Sequence, residues 1–394
     1  MKPRRIAILG STGSVGRQAL EVIAGDKGLS ACGLSAGRNA ELLAAQAAET
    51  GAEAVAVADP SARRRLAGAV PSGTAVLAGP DAAAELVRRV RPDVVLTAVT
   101  GSAGIAPSLA AIACGADLAV ANKESLVMAG AVLMPAAREA GIRVLPVDSE
   151  HAAVFQCLAG RRRDQVARII LTASGGPFRT WPAERIARAS LEEVLNHPTW
   201  RMGRKVTIDS ATLMNKALEV IEAHWLFDLP GERIEVLIHP ESLVHACVEF
   251  GDGSMLAHLH APSMRTPIAL ALRHGRPGGA PEAARLDLAA AGALRFEPVD
   301  AGRFPAVGLA YDVIERGGTA GAVLAAADET AVEAFVEGRI GFGRIVEIVE
   351  EVVNRVDVCS EVTLESIAEA DAEARRLAGA LIARSGRRPA VADG

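Results

Sequence analysis

The chain has 394 residues, of which 50% are apolar, and a formal net charge of −5. That length allows two or three domains with real cores, and the mild acidic balance gives no reason to expect nucleic acid or an anionic membrane surface as a partner. The five cysteines Cys32, Cys114, Cys157, Cys247 and Cys359 are scattered and form no CxxC pair, which points away from a disulfide framework or thiolate zinc site and towards a reduced, cytoplasmic protein.

Met1-Lys2-Pro3-Arg4-Arg5 leads into a short apolar run without the features of a signal peptide. No segment approaches the roughly 20 apolar residues of a membrane span, so a soluble protein is expected. Ile6 to Leu9, Val55 to Ala58, Val94 to Val99 and Leu118 to Ala121 read as buried strands, with Ala40 to Ala48 and Asp81 to Arg89 as helices between them. Such alternation predicts a parallel sheet with right-handed crossovers, a Rossmann-like domain over residues 1–147. A second α/β domain is expected over 148–275, with strands Ile169 to Thr172, Lys205 to Asp209, Arg233 to Ile238, Ala246 to Phe250 and Met255 to His260. Arg273 to Pro281 begins a linker, placed at 276–300. A helical bundle follows over 301–385, where Ile345, Ile348, Val349, Val352, Val353 and Val356 repeat on one helix face, a second run covers Leu364 to Ile382, and Gly317-Gly318 and Gly338 punctuate the helices before them. A polar tail closes the chain at 386–394. The fold class is α/β: an N-terminal Rossmann-like domain, a central α/β domain and a C-terminal helical bundle.

The strand Ile6 to Leu9 runs into Gly10-Ser11-Thr12-Gly13-Ser14-Val15-Gly16 and then a helix-compatible stretch. Glycines let the backbone turn tightly and approach a pyrophosphate, whose charge is met by the helix N-terminus. The spacing is GxxGxxG rather than GxGxxG, and a glycine-rich turn without a ligand is the other reading. After the second strand, where NAD-preferring sites carry an acid, the chain has Gly37-Arg38-Asn39. A guanidinium there suits a 2′-phosphate, so NADPH is the favoured dinucleotide; a solvated loop arginine is the other reading.

Val144 to Val147 ends at Asp148-Ser149-Glu150. Residues two apart in an extended segment share a face, so both carboxylates would point at one centre, as hard oxygen ligands for Mg²⁺ or Mn²⁺. Taken alone, such a triplet is usually a solvated loop end or helix cap. A helix is predicted to start at Ser210, and in it Thr212, Asn215, Lys216 and Glu219 fall at i, i+3, i+4 and i+7 among apolar neighbours. Polar groups kept in such a stripe need partners there. Glu219 would be a third metal carboxylate, beside a phosphate clamp of Ser210, Asn215 and Lys216; a wet helix face with a Lys–Glu pair is the alternative. Ser174-Gly175-Gly176-Pro177-Phe178 brings a strand into a glycine turn able to hold phosphate oxygens. His197 to Gly203, with Trp200 and Met202, suits a lid over about 196–204 or a packed loop. His258 and His260 read as structural, and His239 and His245 as pocket-lining or core.

Gly10 to Gly16, Asn122-Lys123-Glu124, Asp148-Ser149-Glu150, Ser174 to Phe178, His197 to Gly203 and Asp209 to Glu219 occur in that order. Together they resemble the 1-deoxy-D-xylulose 5-phosphate reductoisomerase family over nearly the whole chain. The resemblance implies Mg²⁺ or Mn²⁺ on Asp148, Glu150 and Glu219, and substrate phosphate on Ser174, Ser210, Asn215 and Lys216 with His197 nearby. It implies that Ser149 and Lys123 contact substrate, Lys123 with a catalytic role, and that Trp200 and Met202 ride on the lid. The dinucleotide set extends from Gly10, Ser11, Thr12, Gly13, Ser14, Val15, Gly16, Gly37, Arg38 and Asn39 to Asn122, Glu124, Gly203 and Met264. The implied activity is a metal-dependent rearrangement of a small sugar phosphate followed by NADPH reduction, in a homodimer. One segment departs from the family: Leu259-His260-Ala261-Pro262-Ser263-Met264-Arg265 has His260 for the usual glycine and Ser263 for the usual aspartate. A simple NADPH dehydrogenase of the homoserine or semialdehyde kind, or a non-catalytic NADPH-sensing regulator, would share the glycine turn but need neither an acidic triad nor a phosphate clamp.

Overall fold

The computed structural model describes residues 2–200, 202–278 and 285–385. Met1, Arg201 of the expected lid, 279–284 of the expected linker and the tail at 386–394 lie outside the described residues. Two compact units form, each discontinuous in sequence: Met1–Ser125 with Val132–Thr172 and Ser242–Leu294, and Leu126–Ala131 with Ala173–Glu241 and Arg295–Gly394.

The first unit is built on seven strands, β1 (Arg4–Leu9), β2 (Leu29–Ala36), β3 (Ala54–Val57), β4 (Ala75–Ala78), β5 (Val94–Thr97), β6 (Asp117–Val120) and β7 (Val144–Pro146). Their order is β4-β3-β2-β1-β5-β6-β7, and every neighbour pair is parallel. Strand order reverses at β1, and dinucleotides bind at such a switch point, beyond the strand C-termini. The expected strands and helices of this region are present, joined by β4 and a longer β2. The strands are continuous apolar runs because both sheet faces are covered. Ile6, Ile8, Leu34, Val55 and Leu96 share one core with Leu43 and Ala47 of helix Ala40–Thr50. Ile268, Ala269, Ala271 and Leu272 of helix Arg265–Leu272 complete that core from far along the chain. Arg265 Nε donates to Glu21 Oε2 at 2.7 Å, tying that helix to the one after the glycine turn. The same unit holds β8 (Val166–Ala173) as far as Thr172; later in the chain than β9 (Ile234–Ile238), β10 (Val244–Phe250) pairs antiparallel with β8, and β11 (Met255–Leu259) with β10.

The second unit is mostly helical, with β9 paired antiparallel to β12 (Glu297–Pro298). Its helices include Arg204–Thr212, Met214–Phe227, Ala306–Arg316, Ala320–Val336, Arg344–Arg355 and Leu364–Ser385. Ile345, Ile348, Val349, Val352 and Val353 are buried on one face as expected, while Val356 caps the helix in extended conformation. Leu126–Ala131, part of helix Lys123–Glu139, belongs here for a packing reason: a Cβ on Gly130 would sit inside the Trp225 ring, and one on Gly321 would meet the Val127 carbonyl. Large-to-backbone contacts this close require glycine.

Two expectations fail. Lys205 to Asp209 is not a strand but the body of helix Arg204–Thr212. The alternation of Val206 and Ile208 mimics a strand, yet Lys205 and Asp209 form an i,i+4 ion pair at 2.6 Å, and Thr207, Ile208, Asp209, Ala211 and Thr212 are all buried. Nor does a helix begin at Ser210. The chain breaks at Leu213, which takes the left-handed φ of 60°, and the next helix starts at Met214. No helix among the described residues is long and apolar enough to cross a membrane.

Candidate active site

Gly10 has φ +87° and lies so close to Ala98 that a Cβ would collide with its backbone. A Cβ on Gly16 would run into the Gly10 carbonyl and the Ser11 Cα. Backbone is thus packed on backbone, the close turn a pyrophosphate needs. Ser11 N–H donates to Ser35 O at 2.8 Å and Gly13 N–H to Gly10 O at 3.0 Å. Gly13, the residue before helix Ser14–Ala24, offers no side-chain cap, which leaves that positive helix end suited to an anion. Beyond β2, Arg38 extends its side chain into solvent, 90% exposed, 3.8 Å from Asp59 Oδ2. Asn39 caps helix Ala40–Thr50 by accepting from Leu42 N–H.

Asn122 caps helix Lys123–Glu139, and its amide donates to the carbonyls of Val99 (2.8 Å) and Gly101 (3.1 Å) and to Glu124 Oε2 (3.0 Å). It therefore fixes the loop after β5 to the helix that carries Lys123. The Lys123 ammonium, on a residue 7% exposed, pairs with the Asp148 carboxylate. Asp148-Ser149-Glu150 is not extended: Asp148 is the N-cap of helix Ser149–Cys157 and Glu150 lies in its first turn. The same-face argument from strand geometry is therefore wrong for this pair, because the chain turns helical straight after β7. Asp148 makes no side-chain cap bond to the helix; its charge faces the lysine. Ser149 Oγ donates to Glu150 Oε2 at 2.6 Å.

In the second unit Ser174, Gly175 and Gly176 form a turn with both glycines at positive φ, +85° and +65°. A Cβ on Gly176 would stand 2.7 Å from the Ser210 carbonyl, so the turn and the helix carrying Ser210 approach as closely as backbones can. Gly176 N–H donates to Ser174 Oγ at 3.2 Å. His197 Nδ1 accepts from Thr199 N–H (3.1 Å) and Trp200 N–H (2.9 Å), which places the proton of the neutral ring on Nε2, 3.1 Å from Ser174 Oγ. Burial pushes the His197 imidazole below its ordinary range, favouring that neutral donor. Ser210 lies in the last turn of one helix while Asn215 and Lys216 begin the next, so the bend at Leu213 sets these three residues around a helix N-terminus. Lys216 and Glu219 are 3% and 2% exposed and form an ion pair, and Asn215 Nδ2 donates to Glu219 Oε1 at 2.5 Å. Thr212, Lys216 and Glu219 are buried and Asn215 half-buried, so the stripe is not a wet face.

Residues 6–130 match the family described as 1-deoxy-D-xylulose 5-phosphate reductoisomerase, 144–227 its C-terminal domain and 259–377 the DXP reductoisomerase C-terminal domain. A 1-deoxy-D-xylulose 5-phosphate reductoisomerase of Paraburkholderia xenovorans is 48% identical over 388 residues, 97% of this chain and 96% of that one. The chain belongs to the 1-deoxy-D-xylulose 5-phosphate reductoisomerase family. Among solved structures, the reductoisomerase from Zymomonas mobilis in complex with NADPH matches with TM-score 0.90 and 43% identity, over 96% of this chain and 99% of that one. A DOX-P reductoisomerase in complex with NADPH, fosmidomycin and magnesium matches with TM-score 0.90 and 36% identity, over 96% of this chain and 98% of that one.

Around the segment Leu259 to Arg265 the side chains are held by local contacts. The His260 ring stacks on His245 with centroids 3.8 Å apart, and its Nδ1 bonds the Ala261 carbonyl at 2.7 Å. His258 contacts Gln156 at 2.9 Å. Burial holds His245 and His258 down to about 4, so both rings are neutral. Ser263 Oγ accepts from Arg265 N–H at 3.2 Å, just ahead of helix Arg265–Leu272. Met264 packs partly buried against the sheet core, and His239 is fully buried, stacked on Phe296 and bonded to the Arg295 carbonyl at 2.8 Å.

Three residues escaped the sequence reading. Gln46, 4% exposed, binds both the hydroxyl and carbonyl of Ser11, at 2.7 and 2.9 Å, and so braces the glycine turn; a lone glutamine in an alanine-rich helix was the signal. His151 is fully buried one turn along from Asp148, and the two offer ligand atoms within 4.8 Å of each other. Glu222 is fully buried one turn after Glu219 and extends the same stripe.

Proposed function

We infer that this chain converts 1-deoxy-D-xylulose 5-phosphate into 2-C-methyl-D-erythritol 4-phosphate, by a metal-dependent retro-aldol/aldol rearrangement followed by reduction with NADPH. The supporting observation is the buried Lys216–Glu219 pair, joined by half-buried Asn215, beside the Ser174–Gly176 turn, in a chain that aligns with a family member over 97% of its length. A plain dehydrogenase or a sensor has no use for charge kept in that position.

The dinucleotide is assigned to Gly10, Ser11, Thr12, Gly13, Ser14, Val15 and Gly16, with Gly37, Arg38 and Asn39 at the adenosine end and Asn122, Glu124, Gly203 and Met264 contributing. The turn fits because glycine at 10 and 16 lets backbone pack directly on backbone, giving the tight strand-to-helix turn such a site needs. Asp148, Glu150 and Glu219 are assigned to Mg²⁺ or Mn²⁺. They fit as hard oxygen donors, and two of them are paired with the ammoniums of Lys123 and Lys216. When bound, the cation supplies Lewis-acid stabilisation of oxyanion character on the substrate's carbonyl and hydroxyl oxygens.

Ser174, Ser210, Asn215 and Lys216 bind the phosphate, and His197 presents its Nε2–H towards it through Ser174. Phosphate drawn to Lys216 competes with Glu219 for the ammonium, which leaves the carboxylate to a cation. Lys123 and Ser149 hold the reacting end of the substrate, and Trp200 and Met202 close over it. Binding at the phosphate is remote from the reacting carbons and is available for lid closure and water exclusion. On the same resemblance, the active species is a cytoplasmic homodimer, checked by sedimentation analysis. The activity is tested by NADPH oxidation with 1-deoxy-D-xylulose 5-phosphate, with and without Mg²⁺ or Mn²⁺. Metal-dependent oxidation is expected; no signal under any metal condition from folded protein refutes the reading.

A further inference from the structure

Lys205 lies in the first turn of helix Arg204–Thr212, and its ammonium is held by two carboxylates. Asp209 Oδ2, on the same helix, is 2.6 Å away and Asp328 Oδ2, on helix Ala320–Val336, is 2.5 Å away. Asp209 and Asp328 are 2% and 0% exposed. Asp328 is itself on a helix locked in place at the next residue, since Glu329 Oε2 accepts from Arg375 Nη2 at 2.6 Å and Arg375 Nε donates to Asp371 at 2.8 Å. Charges taken this far out of water persist only with good partners, and removing one partner is costly.

The helix so held carries Ser210 directly after Asp209. Its far end is fitted against the Ser174–Gly176 turn, where a Cβ on Gly176 would stand 2.7 Å from the Ser210 carbonyl. The helix is therefore located at both ends, by an ion pair at the start and a backbone approach at the finish. Its rotation about its own axis is set by the ion pair. A turn of ~20° at a side-chain radius of ~5 Å would carry Ser210 Oγ roughly 2 Å.

We propose that Asp328 is a positioning residue for the phosphate site: through Lys205 and Asp209 it sets the rotation of helix Arg204–Thr212 and so the placement of Ser210. The inference rests on the reading of Ser210 as a phosphate ligand given above. A misplacement of about 1 Å is enough to cost up to about a hundred-fold, and here it falls on binding, not on the reacting groups.

The test is the kinetics of Asp328→Ala and Asp328→Asn in the full-length chain with Mg²⁺. Asp328→Ala is expected to raise KM for 1-deoxy-D-xylulose 5-phosphate about ten-fold or more, and to weaken competitive inhibition by inorganic phosphate in proportion. NADPH affinity should stay within about two-fold, and kcat should move less than KM. Asp328→Asn, which keeps a carbonyl acceptor for Lys205, should give a smaller shift of the same sign. A merely structural role lowers the unfolding midpoint and leaves KM and phosphate inhibition unchanged, and that result overturns the proposal. If Asp328→Ala does not fold, the asparagine variant decides by the same two constants. Wild type that fails to oxidise NADPH with the substrate would sink the functional reading instead. Calorimetric titration with inorganic phosphate then decides the positioning claim, equal affinity in wild type and variants overturning it.

Discussion

Glu219→Gln separates the charge at this site from its shape. The side chains of Lys216 and Glu219 are 4% and 3% exposed, so neither charge has appreciable access to water. Removing one partner of such a pair leaves an uncompensated buried charge, at a cost of about 3–5 kcal/mol. Glutamine keeps the volume and can still accept from Asn215, and the lysine can relieve itself by losing its proton, so we expect the low end, about 3 kcal/mol. That corresponds to roughly a hundred-fold in the unfolding equilibrium, readable as a lower urea midpoint by circular dichroism. With Glu219 as the proposed metal carboxylate, turnover should fall by at least about a hundred-fold for loss of a charged ligand. NADPH binding, followed by fluorescence, should change by less than about two-fold, since the glycine turn is built without Glu219. Adding Lys216→Met should recover most of the lost stability while activity stays low, as a buried pair replaced by apolar groups is nearly neutral. Destabilisation below about 1 kcal/mol without recovery in the double variant would refute the ion-pair argument. An equal loss of NADPH binding and turnover would refute the assignment of Glu219.

Arg38→Ala should weaken NADPH by about ten- to a hundred-fold, the worth of a charge-assisted bond, while leaving NADH binding unchanged; equal effects on both would remove Arg38 from the 2′-phosphate. Gly176→Ala places a Cβ 2.7 Å from the Ser210 carbonyl at a φ of +65°, a strain of about 1–2 kcal/mol before any clash. It should raise KM for the sugar phosphate about ten-fold with NADPH affinity intact, and an unchanged KM would disconnect this turn from the phosphate. Burial and the neighbouring His260 hold His245 at about 4, against 6.5 for an ordinary histidine. A depressed histidine favours the neutral ring in the fold, so its contribution is complete above about pH 6.5 and disappears as pH falls through about 4. Stability should drop on the order of 3 kcal/mol across that window, and His245→Asn should flatten the slope in urea midpoints; a slope unaffected by the substitution would assign the acid sensitivity elsewhere.

Much of the first unit was legible along the chain. Runs such as Ile6 to Leu9 and Val94 to Thr97 are apolar throughout because both faces of a parallel sheet are covered, and the glycines of the turn are demanded by backbone contacts that no side chain permits. The 212/215/216/219 stripe was legible too, since helical periodicity alone put polar groups among apolar ones, though it missed the break at Leu213. A left-handed leucine carries no local signal; it is held there by packing, at 2% exposure. Lys205 to Asp209 misled for the related reason that a short alternating run fits strand and helix alike until its buried faces are known.

Composition, periodicity and motif order determined the fold class, the dinucleotide turn and the family, because those depend on local spacing that the chain carries wherever it folds. Tertiary structure alone decided that Asp148 and Glu150 open a helix, that Arg265–Leu272 completes the N-terminal core, and that Asp328 reaches Lys205 at 2.5 Å. The last two are contacts between residues more than a hundred positions apart, and their energy comes from burial and charge pairing that no local pattern encodes; the first is a local turn that alternation of residue types does not distinguish from an extended end.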